Sequence, residues 1–261
     1  SHVFIHYSGH GGRAGTLLPG SKGRSGLDEG LVPSNISNPE AKYLRDVELA
    51  YLLHEMTEKG LRVSLVIDAC HSAGTLRQGS GLVRRGGCKE DSAPRSEGGR
   101  VAEVEELERT WRRLARRSYS FLRGEKPSGW TSGMEGLVLL AACRAHESAH
   151  EKFIEGRKRG VLTYHLLSIL AETGLDISWR QVFDRLVARV HRAASYQTPV
   201  LEGEAERYVL GEGFERPVAG VSVLEVEPEN RRAMLRVGEV MGIGTGALFR
   251  LQPSSLAGAG T

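Results

Sequence analysis

At 261 residues, with 40% apolar residues, 33 glycines and only 6% aromatics, the chain can fill one substantial core or two modest ones, and it fits a loop-rich α/β protein better than a helical bundle. Its longest apolar run, Gly136 to Cys143, falls short of the roughly 18 residues of a membrane span. Three cysteines without CxxC spacing indicate neither a disulfide framework nor a thiolate zinc site, so a reducing, cytoplasmic compartment is the default.

The net charge of +3 is uneven: residues 76–127 hold 13 Lys and Arg against 8 Asp and Glu, a local +5 that leaves −2 elsewhere. That stretch is also rich in Gly, Ser and Glu and has few aromatics to stack bases, so it reads as a solvated insertion and no nucleic-acid partner is expected.

The chain opens at Ser1 with a strand and no charged leader, the pattern of a fragment or a processed product rather than of a signal peptide. Residues 2–7, His-Val-Phe-Ile-His-Tyr, are the first strand, and they run into Ser8-Gly9-His10-Gly11-Gly12, where glycines let the backbone bend sharply around an imidazole. From Arg13 to Lys42 the composition is that of a long surface loop. A helix is expected from Asp46, as N-cap, to Lys59, closed by Gly60. Leu61, Val63, Leu65 and Ile67 then share one face of a strand whose other face carries Val66, a strand covered on both sides. Helix, glycine and buried strand make half of a crossover unit in a parallel sheet.

That second strand ends in Asp68, Cys70, His71 and Ser72, and in open α/β sheets the crevice beyond the carboxyl ends of the strands is where ligands bind. Inside the basic insertion, Glu103 to Arg117 has helical spacing with a narrow apolar stripe of Val104, Leu107, Trp111 and Leu114, the pattern of a helix that docks lightly or stays mobile. Gly136 to Cys143 is another buried strand, and Arg144 to Arg159 a polar loop. Two helices follow, Val161 to Thr173 and Ser178 to Ala194, the second opened by a capping box of Ser178 and Gln181. Beyond a boundary near Phe214 to Ala219, three short alternating segments (221–226, 233–237 and 247–251) form a small, incomplete β module. The domains are thus 1–215, with a basic insertion or linker over 76–135, and 216–261.

Thiol hydrolysis of an acyl bond needs an accessible cysteine, a histidine within hydrogen-bond reach, and amide donors aimed at the developing oxyanion. A lone cysteine is more often a small buried hydrophobe, but Cys70 sits where polar groups crowd a strand exit. His10 lies at the end of another strand, and if the two strands are parallel neighbours both side chains emerge at one edge. His71 is adjacent in sequence, yet neighbours on an extended chain point apart, which favours His10 as the partner. The N–H groups of Gly11 and Cys70 would then serve as the oxyanion hole.

Phe4-Ile-His-Tyr-Ser-Gly-His-Gly11 and Asp68-Ala-Cys-His-Ser72 resemble the paired histidine and cysteine motifs of caspase-like peptidases (family C14), in particular the metacaspases and their bacterial relatives. Asp28-Glu-Gly-Leu-Val-Pro33, Asp46-Val-Glu-Leu, Ala141-Ala-Cys143 with Glu147 and Glu151, and Gly160-Val-Leu-Thr163 extend the resemblance over about residues 1–210. It implies an α/β fold, a mostly parallel caspase-like sheet flanked by helices, with further strands and a helix expected before residue 1. It also implies a cysteine endopeptidase acting on protein or peptide substrates, with His10 and Cys70 as catalytic dyad and Asp68 in the pocket for the residue before the scissile bond, where a carboxylate favours Arg or Lys. The insertion falls where large- and small-subunit regions meet, so Arg84-Arg85 and Arg112-Arg113 are candidate self-processing sites of a zymogen. Ala73 and Val47 depart from the family pattern, and no Asp follows Cys70 closely, so no metal or other cofactor is expected and calcium activation lacks its ligand pattern.

Three other readings compete. His2, His6 and His10 share a strand face, but four-residue steps spread them by roughly 13 Å each, too far for one zinc ion. His10-Gly11-Gly12 is like an esterase loop, but no Gly-x-Ser-x-Gly occurs. A catalytically silent caspase-like interaction or signalling module is the alternative of a different class.

Overall fold

Alternation of apolar residues along the strands decides the architecture. The structure, a computed structural model, describes residues 1–21, 26–38, 40–69, 83–84, 101–117, 134–144, 147–211, 213–214, 223–227, 229 and 231–235. It divides into two compact units, Ser1–Glu215 and Arg216–Thr261. In the first, β1 (His2–Ser8), β5 (Arg62–Asp68), β7 (Leu137–Ala141) and β10 (Val200–Gly203) form a sheet in the order β1-β5-β7-β10. β1, β5 and β7 are parallel and β10 runs antiparallel to β7.

Val63, Leu65 and Ile67 of β5 and Leu137 and Leu139 of β7 pack on one side against Val47, Ala50 and Leu53 of helix α1 (Asp46–Glu58). Val66, Val138 and Leu140 point the other way, onto α3 (Val161–Thr173) and α4 (Trp179–Ala193). Strand period two therefore produces three layers, with a separate core on each side of the sheet.

Helix α2 (Val104–Arg117), inside the basic stretch, docks far more firmly than its narrow stripe implies. Leu107 and Leu114 are fully buried and Trp111 nearly so in the α1 core. Leu107, Trp111 and Leu114 are spaced i, i+4, i+7 and so share one face; Glu108 and Arg112 pair on the exposed side at 2.7 Å.

Two segments expected to be loops are strands. β2 (Gly11–Gly15) and β3 (Leu27–Leu31) pair antiparallel, with β4 (Leu44–Arg45) beside β3. Glycine-rich strands have little intrinsic β preference; this one is held by Arg13 opposite Glu29 at 2.9 Å and by Asp28. The buried Asp28 accepts from the Thr16 hydroxyl at 2.6 Å, the Leu17 amide at 2.9 Å and Arg45 at 3.1 Å. β8 (His150–Ile154) and β9 (Arg157–Gly160) form a hairpin closed by Glu155 and Gly156, both at positive φ (52° and 74°), a two-residue turn matched to strand twist. β6 (Val83–Arg84) pairs with β8.

The cap of α1 also differs by one residue: Arg45 is the N-cap, Glu48 accepts from its amide at 3.1 Å, and Asp46 already lies inside the helix. α4 opens as expected on Ser178, whose hydroxyl accepts from the Gln181 amide. In the second unit, β11 (Val223–Glu227) and β12 (Arg232–Leu235) pair antiparallel, matching two of the three alternating segments. The third, 247–251, lies outside the described residues.

Arg207 closes the sheet at its amino end. It is completely buried, and it donates to the carbonyls of Gly136 (2.8 Å) and Val63 (2.6 Å), to the Ser64 hydroxyl (3.0 Å) and to Glu204 (3.1 Å). Burial pushes the guanidinium pKa down while Glu204 opposes the shift. Arg207→Ala would orphan these acceptors and cost about 3–5 kcal/mol, and Arg207→Lys, a point charge, restores little of it. Urea denaturation checks this; an unchanged midpoint in Arg207→Ala would refute the staple.

Candidate active site

The carboxyl ends of β1 and β5 define the site. The strands are parallel neighbours in a register that sets Ser8 opposite Asp68, and the Gly9 amide donates to the Asp68 carbonyl at 3.3 Å. His10 is the second residue after Ser8, and Cys70 is the second after Asp68. Cys70, His71 and Ser72 lie outside the described residues.

His10 is exposed on a turn whose backbone is fixed from below. Its carbonyl accepts from the Tyr7 hydroxyl at 2.7 Å and from the Val32 amide at 3.1 Å. The same hydroxyl lies 2.9 Å from the Val32 carbonyl and accepts the Val32 amide at 3.1 Å. The flanking glycines are there for want of space. A Cβ on Gly9 would come within 2.6 Å of the Tyr7 oxygen, and one on Gly12 within 2.9 Å of the Tyr43 ring. Gly11 begins β2, opposite Leu31. The turn thus carries its histidine outward on a scaffold of two tyrosines.

Asp68 shares strand parity with Ser64 and Val66 and so faces the α3 side. It is fully buried, and Oδ2 accepts both the Thr163 amide (3.0 Å) and the Thr163 hydroxyl (2.6 Å). Gly160, the N-cap of α3, has no side chain to cap the helix. Asp68 therefore supplies that cap from the sheet, placing a carboxylate on an orphan amide of the first turn where the helix dipole also favours it. Since the Thr163 hydroxyl donates to Asp68, its oxygen accepts from His6 Nε2 at 3.1 Å. The three strand histidines separate accordingly: His2 bonds Ser64 at 2.9 Å, His6 bonds Thr163, and His10 leaves the strand.

Glu147 fastens the neighbouring strand end. Its carboxylate accepts from the Thr198 amide (2.7 Å) and hydroxyl (2.9 Å), while buried Gln197 accepts from the His150 amide at 3.0 Å. Cys143 is buried with its sulfur 3.9 Å from the Ala69 carbonyl and 3.6 Å from that of Glu147.

The caspase-domain family model (peptidase family C14) matches residues 1–209. The chain belongs to the caspase-domain family. Two Arabidopsis thaliana relatives, metacaspase-7 and metacaspase-6, are each 35% identical over 74 and 77 residues, about 28% of this chain and only 17% and 18% of theirs. The matched part is thus under a fifth of the length of these relatives. A crystal structure of a Geobacter sulfurreducens protein aligns with TM-score 0.43 and 21% identity over 77% of this chain and 65% of that one. Caspase-domain membership makes protease chemistry on protein or peptide substrates the activity to test. No described helix is long and apolar enough to cross a membrane.

Tyr7 and Thr163 were not among the residues singled out for the site. Tyr7 stands within Phe4-Ile-His-Tyr-Ser-Gly-His-Gly11 and Thr163 within Gly160-Val-Leu-Thr163, but their contacts with His10 and Asp68 become visible only once the strands and α3 are placed. Thr163→Val leaves the amide bond but removes the hydroxyl from a buried carboxylate, a loss of about 1–3 kcal/mol, and Thr163→Ser should recover most of it. Thermal denaturation of the pair, compared with wild type, decides the matter, and equal stability of Val and Ser would exclude the hydroxyl's role.

Proposed function

We propose that this caspase domain is a cysteine endopeptidase. Cys70 attacks the scissile carbonyl carbon as a thiolate, its proton passing to His10, which later donates it to the leaving amine. The peptide N–H groups of Gly11 and Cys70 receive the oxyanion, and water then hydrolyses the thioester. The observation that carries this reading is the β1–β5 register, with Ser8 opposite Asp68. It supports the dyad because each strand continues two residues further to one of the two groups the chemistry needs.

Asp68 in this reading biases the site toward Arg or Lys. Its Oδ2 is engaged by Thr163, so in this reading Asp68 acts as an acidic side chain at the carboxyl edge, in a region of low dielectric. Treatment of the full chain with a peptidyl-arginine chloromethyl ketone, followed by peptide mapping, tests both assignments. The adduct is expected on Cys70 and lost in His10→Ala, which should also lower kcat/KM by about 10²–10⁴. A folded protein whose Cys70 stays unmodified would instead be the silent interaction module.

The same reading extends to self-processing, and the two dibasic sites differ. Peptidases take extended chain, and Arg84 ends a β-strand, whereas Arg112 and Arg113 lie within α2 beside the buried Trp111 and Leu114. Cleavage during incubation of active protein should therefore map to Arg84-Arg85 and spare Arg112-Arg113. Fragments cut first inside 104–117 would contradict this.

A further inference from the structure

On the face of the α3–α4 pair a cleft of about 600 Å³ is lined by Tyr164, His165 and Ser168 from α3 and Arg189, Arg192 and Ala193 from α4. Its size falls within the roughly 300–1,000 Å³ of small-ligand sites. Arg185, Arg189 and Arg192 recur at i, i+4 and i+7 along α4, one face of the helix. Lys152 and Arg189 both act electrostatically on His165, and Arg159 lies over the Tyr164 ring at 5.7 Å. Glu172 is the carboxylate on the cleft wall, held by both arms of the Arg189 fork at 2.8 and 2.6 Å. Arg192 makes no ion pair among the described residues.

The imidazole adds a second, independent indication. His165 Nε2 is buried and has no hydrogen-bond partner among the described residues. A buried nitrogen without a partner is uncommon, because its desolvation is uncompensated. Burial first, then Arg189 and Lys152, lower the His165 pKa, so the ring is neutral at pH 7. A neutral ring carries one N–H donor and one acceptor nitrogen, so an oxyanion beside it can take the donor.

We propose that this cleft binds a small ligand through a phosphate-class oxyanion, with Arg192 as its direct partner, the part-buried His165 ring lining the site and Arg189 at its flank. A carboxylate is satisfied by one planar fork, whereas a tetrahedral dianion takes donors from several directions, which is what two facing helices supply here. Tyr164 and Ala193 leave apolar surface for the body of the ligand. The site is independent of the peptidase reading and draws on none of its residues.

Inorganic phosphate is the probe, titrated into the full chain with chloride at matched ionic strength as control. The readout is the His165 ring resonance, identified by its disappearance in His165→Gln. Phosphate should shift it saturably and raise its pKa, since a nearby anion favours imidazolium. Arg192→Gln, an exposed change that leaves the fold intact, should weaken binding about tenfold. Glu172→Gln should tighten it, because a repelling carboxylate is removed and the Arg189 fork is released. A response that chloride reproduces, an equal shift at the exposed His191 on α4, or one phosphate affinity shared by wild type and Arg192→Gln would overturn the proposal.

Discussion

The constraint on which everything else depends is the parallel pairing of β1 with β5. A parallel ladder brings both carboxyl ends to the same edge of the sheet, and the connection between them must cross over one face. Here the crossover consists of β2, β3, β4 and α1, so the segment that starts at the His10 turn is also the one that builds one core layer. The site and the fold share a single piece of chain, and the position of His10 relative to the end of β5 is set by backbone hydrogen bonds together with the Tyr7 hydroxyl.

Buried polar groups do the finer placing, one at each end of the sheet. At the amino end Arg207 reaches back to the carbonyls where β5 and β7 begin, that of Val63 lying more than half the chain away. At the carboxyl end Asp68 joins β5 to the first turn of α3 through Thr163. Both are polar side chains in fully buried surroundings, and through these hydrogen bonds each fixes one arrangement of strand and helix. A carboxylate that looks from the sequence like a ligand for substrate is thus also a helix cap.

Most of the framework was legible from periodicity. β1, β5, β7, α1, α3 and α4 have strong alternation or helical stripes, and their expected limits agree with the observed ones to within two residues. Less was legible where non-local contacts override weak local preference. β2 and β3 are glycine-rich and polar, and they form a ladder because Asp28 and Arg45 organise them from a distance. The β8–β9 hairpin is charged on both strands, but Glu155-Gly156 was a readable turn signal. α2 was visible as a helix, while its depth of burial was not, because three residues on a narrow stripe look weak until the groove beside α1 is seen. Of the site, the His10 and Asp68 positions and the parallel arrangement of their strands were accessible from motif spacing. The roles of Tyr7 and Thr163 required the fold, since each acts on a residue whose proximity only the tertiary structure creates.

The burial of α2 has a consequence for the topology of the chain. α2 and β7 both follow residues 76–100, yet α2 packs on α1 and β7 pairs with β5, both of which precede that stretch. A break in the backbone anywhere in 76–100 would leave two pieces interlocked through a shared core and a shared sheet. Such a nicked molecule would keep the size and shape of the intact one in solution, and only unfolding it would reveal that the chain had become two.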